Sequence, residues 1–304
     1  MMQSQIIPSI KPGHRSLRNT LSLAWNRLFP SWAERKIDSQ LFLPNTMRKA
    51  SVTAPRGFQE KTIDTPKGRI NMYQYGAGPA VVFVHGWGGG AYQFFSLMRG
   101  LKACGFTAIA FDHLGHEKSE NKAATLGHLI ATTNFILQRV RKQHREGLYA
   151  IVAHDTGCLV TANARPALIK GLPLFLISPI FNYKLYFLKK LGELKLHPEI
   201  LKQYAQRFIT SYKQQYAHLE LANSLVPYSD DCLIAHDRDD PVSPVADSVR
   251  FCNRHPLTKL LVTNDWGHNR IISSESVWAE LKSHVNYEDT TINFSKIVLE
   301  EIQR

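Results

Sequence analysis

The chain has 304 residues, 44% of them hydrophobic and 20% charged, with a formal net charge of +12. That length holds one large α/β domain or two ordinary ones, and the composition excludes the disordered and fibrous classes. The positive excess suits either a solvated surface or an anionic partner, and no RNA- or DNA-reading motif accompanies it, so nucleic acid is not expected.

Cys104, Cys158, Cys232 and Cys252 are widely spaced, form no CxxC pair and stand in apolar or helical surroundings. They predict buried reduced thiols and a cytoplasmic location. No run approaches the ~18 consecutive apolar residues of a membrane span, and the first residues lack the features of a secretory signal.

In chain order, residues 16–29 put Leu17, Leu21, Ala24, Trp25 and Leu28 on one helical face, with Arg18 and Arg27 off it. Such a basic amphipathic helix either docks on its own domain or makes peripheral membrane contact. Residues 1–57 are therefore read as a basic helical extension. Residues 61–76 read as a hairpin around a Pro-Lys-Gly turn. Strands are expected at 80–86, 106–112, 148–154, 172–178, 232–237 and 259–264. Helices are expected over 91–104, 125–144 and 157–170. Short continuous apolar strands alternating with helices predict a parallel sheet covered on both faces, the α/β class. Residues 180–228 contain no strand signal and read as two or three amphipathic helices, a cap inserted in a core of 58–179 and 229–304.

Ligands of a parallel sheet bind beyond the carboxyl ends of its strands. Asp155, Asp240 and His268 each follow a predicted strand, in the order nucleophile, acid, histidine. With these residues placed, the chain resembles the α/β-hydrolase superfamily over roughly residues 60–285. "HGWGGG" (85–90) is similar to the oxyanion-hole turn, "FDHLGHEKS" (111–119) to the loop after the next strand, and "AHDTG" (153–157) to the nucleophile elbow. "HDRDDPVSP" (236–244) corresponds to the acid loop and "WGHNR" (266–270) to the histidine loop.

The elbow departs from the usual Gly-x-Ser-x-Gly: it opens on Ala153 and carries Asp155 in place of serine. In the superfamily, aspartate here marks haloalkane dehalogenases, fluoroacetate dehalogenases and epoxide hydrolases. A carboxylate with an ordinary pKa of ~3.9 is ionised at neutral pH without a base. Against an ordinary ester it would form an anhydride while expelling a far more basic group. Against a saturated carbon bearing halide or a strained ring oxygen it forms a stable alkyl ester, which water activated by His268 hydrolyses.

The resemblance thus implies a cofactor-free hydrolase acting on a small, largely apolar substrate. Its triad would be Asp155–His268–Asp240, with the backbone N–H groups of Trp87 and Thr156 as oxyanion hole. Trp266, Tyr183 and Tyr186 are candidates for the substrate pocket. Thr156 stands where dehalogenases usually carry a halide-binding Trp, whereas cap tyrosines favour epoxide opening. Two alternatives stay open: an esterase-like enzyme whose serine is replaced by aspartate, and a non-catalytic ligand-binding protein on the same scaffold. Asp237 and Asp239 compete with Asp240 for the acid position; the count from His236 to the acid of this loop selects Asp240, with Asp239 as the fallback. His85 and His154 read as supporting or packing groups, and Asp112 and Ser119 as loop-fixing residues. His113, His116 and Glu117 lie close in sequence but lack a second cluster at ligand spacing, so no metal is expected. Nothing in the residues specifies an oligomeric state.

Overall fold

A computed structural model describes residues 30–41, 52–120, 123–194, 196–215 and 220–285. The helix expected over 16–29 lies outside the described residues. Eight strands form one sheet: β1 (Gln59–Thr65), β2 (Gly68–Gly76), β3 (Ala80–Val84), β4 (Thr107–Phe111), β5 (Leu148–His154), β6 (Leu174–Ile177), β7 (Cys232–Asp237) and β8 (Lys259–Thr263). Their order is β1-β2-β4-β3-β5-β6-β7-β8. The β1–β2 hairpin closes with Thr65 opposite Gly68 and joins β4 antiparallel, and every pair from β4 to β8 is parallel.

The period-2 alternation of strands explains the core. Val81 and Phe83, Ala108 and Ala110, Ala150 and Val152, Phe175 and Ile177, and Leu233 and Ala235 project from one face of five successive strands. They meet Phe95, Leu97, Met98 and Leu101 of the helix Phe95–Ala103, and Val277, Trp278 and Leu281 of the helix Glu275–His284. The alternate residues Val82, Ile109, Ile151, Leu176 and Ile234 are buried as well. Burial on both faces is why these strands read as unbroken apolar runs.

The expected helix over 157–170 is two, Thr156–Ala162 and Pro166–Ile169. Pro166 has no N–H to donate and pushes Arg165 out of helical geometry (φ −56°, ψ 126°), which ends the first helix early. The helix Leu126–Gln143 starts where Thr125 caps it, accepting the His128 N–H at 3.3 Å.

The chain divides into two compact units, one of Leu43–Tyr183 with His218–Arg304, the other of Met1–Phe42 with Lys184–Ala217. The first holds the sheet. In the second, Ile37 of the helix Pro30–Leu41 is fully buried with Leu191, Leu196, Ile200 and Leu201. Tyr204 donates a 2.5 Å hydrogen bond to Asp38, and Arg207 pairs with Glu34 at 2.6 Å. Among the described residues no helix is long and apolar enough to cross a membrane. All four cysteines are free thiols, three of them buried.

Candidate active site

β5 carries the chain to Asp155, which adopts φ 55° and ψ −128° and opens the helix Thr156–Ala162. A non-glycine residue in this region is strained and persists only where its surroundings hold it. They do: the Asp155 N–H donates to the Ile177 carbonyl of β6, and its carbonyl accepts from Cys158 N–H, both at 3.1 Å. Gly157 makes the bend possible, because a methyl there would strike the carbonyls of Val84 and His85. Gly86 does the same from the other side, since a methyl on it would run into the Asp155 carboxylate.

The two oxygens of Asp155 have different partners. Oδ2 accepts the Trp87 N–H at 3.0 Å and the Thr156 hydroxyl at 3.0 Å. Oδ1 faces His268 Nε2 at 3.2 Å. The far nitrogen of that ring, Nδ1, lies 2.7 Å from Asp240 Oδ2. The bond to Asp240 has the length of a strong charge-assisted hydrogen bond, whereas the one to Asp155 is loose. Asp240 is itself anchored, its Oδ1 taking the N–H groups of Val242 (2.7 Å) and Ser243 (2.9 Å), and His236 Nε2 stands 3.2 Å from its Oδ2.

The electrostatics follow from these contacts. Burial raises Asp155, but the hydrogen bond and charge of His268 outweigh it and hold the carboxyl below its usual range. Asp240 is buried too, yet hydrogen bonds from His236 and His268 hold it lower still. Burial works against the charged form of His268, while its two carboxylate partners lift it to about 9. At neutral pH the resting site is therefore a carboxylate–imidazolium–carboxylate triple.

The other acids of the β7 loop fix its shape. Asp237 accepts from Thr263 Oγ1 (2.6 Å), Asp239 N–H (3.0 Å) and Trp266 N–H (3.2 Å), and Asp239 accepts the Asp265 N–H at 3.1 Å. Of the three acids, Asp240 is the one that meets His268. The Trp266 indole is exposed, and this residue acts through its backbone, starting the short helix that bears His268. Tyr183 and Tyr186 are both half-buried, on the helix Tyr183–Gly192; the first closes one unit's segment and the second belongs to the other unit.

Two histidine rings brace the turn that presents Trp87. His85 donates from Nδ1 to the Gly86 carbonyl (2.7 Å) and accepts the His113 N–H on Nε2 (2.9 Å). His116 accepts the Gly88 N–H on Nε2 (3.1 Å) and donates from Nδ1 to the Leu114 carbonyl (2.9 Å). Each ring acts as one donor and one acceptor, which requires the neutral form. Burial enforces it, pushing His85 well below its ordinary value and His116 to about 4. Sequence reading set His116 aside with the rejected metal cluster and missed this bracing; its only signal is the placement of a histidine in the loop after β4. Among the described residues no group of three or more His, Cys, Asp or Glu is arranged to hold a metal ion. Asp112 Oδ1 accepts the Ala91 N–H (2.8 Å), and Ser119 ties the Asp112 carbonyl (2.6 Å) to the Asn71 N–H (2.8 Å). His154 donates to the His268 carbonyl at 2.9 Å.

This sheet and strand-to-helix turn are those of the α/β-hydrolase fold, whose family profile matches residues 79–164. A thioesterase domain from the curacin biosynthetic pathway is similar at 15% identity and TM-score 0.53, over 75% of this chain and 99% of that one. The Pyrococcus furiosus esterase Pf2001 is similar at 18% identity and TM-score 0.57, over 75% and 91%. An epoxide hydrolase from Vigna radiata is similar at 16% identity and TM-score 0.52, over 78% and 99%. Among curated protein sequences none matches. The chain thus has the α/β-hydrolase fold, with an aspartate, a histidine and a second aspartate in contact at the carboxyl ends of β5, β8 and β7.

Proposed function

We propose that this chain is a cofactor-free hydrolase that acts on a small, largely apolar epoxide or organohalide through an alkyl-enzyme ester. Asp155 Oδ1 attacks a saturated carbon and displaces halide, or opens the ring by breaking its C–O bond as the ring oxygen takes a proton from solvent. Water then adds to the ester carbonyl, with His268 taking its proton and Asp240 holding the ring. The alcohol or diol leaves with Oδ1. The observation that carries this reading is the division of labour within the Asp155 carboxylate. One oxygen is held by the donors a developing oxyanion needs, and the other faces the histidine.

The charge state of His268 fits the sequence of steps. In the resting site it is protonated and no base. Ester formation removes the Asp155 charge, one of the two that hold the ring near 9. The ring's affinity for its proton falls, so it becomes neutral and free to act as a base toward water, after the ester exists and not before. The likeness to an esterase supports a second reading, an ester hydrolase with aspartate in place of serine, but a carboxylate that adds to an ester is itself the better leaving group, so the intermediate collapses back to reactants. A binding protein would have no use for the aligned acid and histidine. The four free thiols fit a reducing, cytoplasmic setting.

The test is a single turnover of styrene oxide or 1-bromobutane in heavy-oxygen water, which puts the label in the Asp155 carboxylate. The variant His268→Gln accumulates a covalent ester on Asp155, seen as a mass increase. If wild-type protein turns a probe over while Asp155 stays unlabelled and the variant stays unmodified, the reading fails.

A further inference from the structure

The hydroxyl of Thr156 stands in the middle of the site. It is fully buried, accepts the Trp87 N–H at 2.7 Å and lies 3.0 Å from Asp155 Oδ2. The hydroxyl has one proton to give. Its lone pair toward Trp87 is already used, because an N–H can only donate. Threonines within a helix usually send that proton to the carbonyl one turn earlier. Thr156 is the first residue of its helix, so no such carbonyl precedes it. The partner within reach is Asp155 Oδ2, which as a carboxylate oxygen can only accept.

From this geometry we infer that the Thr156 side chain is a catalytic residue in its own right: a hydroxyl oxyanion donor, added to the backbone N–H groups of Trp87 and Thr156. The inference rests on the alkyl-ester reading above. Once Oδ1 carries the alkyl group, Oδ2 is the ester carbonyl oxygen. Water forms a bond to Cγ, His268 takes its proton, and the C=O electron pair moves onto Oδ2. Thr156 donates to that charge along with Trp87. When the pair returns, the Cγ–Oδ1 bond breaks and the product alcohol leaves with Oδ1, receiving the proton from His268. The alkylation step places no new charge on Oδ2, so the hydroxyl favours the second step over the first. A residue that merely packed at the elbow would affect both steps alike.

Two near-isosteric substitutions test this. Thr156→Val keeps the shape and loses the donor; Thr156→Ser keeps the donor and loses the methyl. With styrene oxide and 1-bromobutane as probes, Thr156→Val slows ester hydrolysis about a hundredfold, the scale for loss of one oxyanion donor. Its alkylation rate in the burst phase stays near wild type, so the covalent ester accumulates and is seen by mass. Thr156→Ser recovers most of the loss. A His268 ring that still titrates near its wild-type pH in Thr156→Val shows that the site has kept its geometry. Hydrolysis at the wild-type rate in Thr156→Val, or equal slowing of both steps in both variants, overturns the role of the hydroxyl while leaving the alkyl-ester reading intact. If neither wild-type protein nor His268→Gln forms any ester with the probes, the alkyl-ester reading falls and the inference falls with it.

Discussion

At Asp155 a single side chain combines backbone strain, burial and a fixed charge. The strain of a positive φ costs of order 1–3 kcal/mol and is tolerated because the surrounding amides and His268 hold the carboxylate in place. Asp155→Asn keeps the shape and removes the charge. It should lower turnover of an epoxide or halide probe at least about a thousandfold, and in histidine NMR the His268 titration should move down from about 9, since one of its two supporting charges is gone. An unmoved titration would show that Asp155 does not support the ring. Stability should follow pH with a definite sign. His268 is raised above its free value of ~6.5, so its contribution is complete below that pH and is lost as pH rises through about 9. Asp155 and Asp240 are depressed, so theirs is present above ~4 and is lost as pH falls. The melting temperature gap between wild type and His268→Gln should therefore be widest near pH 4.5 to 6.5 and shrink toward pH 10. A gap constant over that range would sink the assignment of charge to the ring.

At the scale of the element, the strand-to-helix turn after β5 depends on what is missing from two glycines. Gly86→Ala would force its methyl into the Asp155 carboxylate, and the cheapest relief is to move that side chain off the Trp87 N–H. Activity should fall about a hundredfold, the scale for a misplacement near 1 Å, with a stability loss of about 1–3 kcal/mol from overpacking. Denaturant melts and probe turnover measure both, and an unchanged turnover would place the catalytic geometry elsewhere. The elements themselves were mostly legible. β7 falls on the residues its apolar run marks, and the central helix within one residue of its expected ends, because strand burial and helix capping are written locally. The helix after Asp155 was misread as one piece although Pro166 signalled its end. The role of His116 was not legible, since its partner Gly88 lies 28 residues away and nothing local shows which backbone N–H meets its ring.

For the molecule as a whole, the helix Pro30–Leu41 shares a core with helices that follow it by about 150 residues. Ile37→Ala should remove about 2–5 kcal/mol from that unit, the usual range for a buried Ile or Leu. Hydrogen exchange should report it as faster exchange along Pro198–Gln215, and unchanged protection there would mean that Ile37 does not belong to the unit's core. The sequence by itself determined the alternation of elements, the α/β class and the chain order of Asp155, Asp240 and His268. All of these depend on periodicity and on turn-forming residues next to one another. Only the tertiary structure supplied the contacts: Asp240 Oδ2 lies 2.7 Å from the histidine, and one Asp155 oxygen meets an amide 68 residues earlier while the other meets a ring 113 residues later. The reason is physical: neighbours along the chain set backbone conformation, but hydrogen-bond partners are chosen by where the closed sheet brings the ends of its strands.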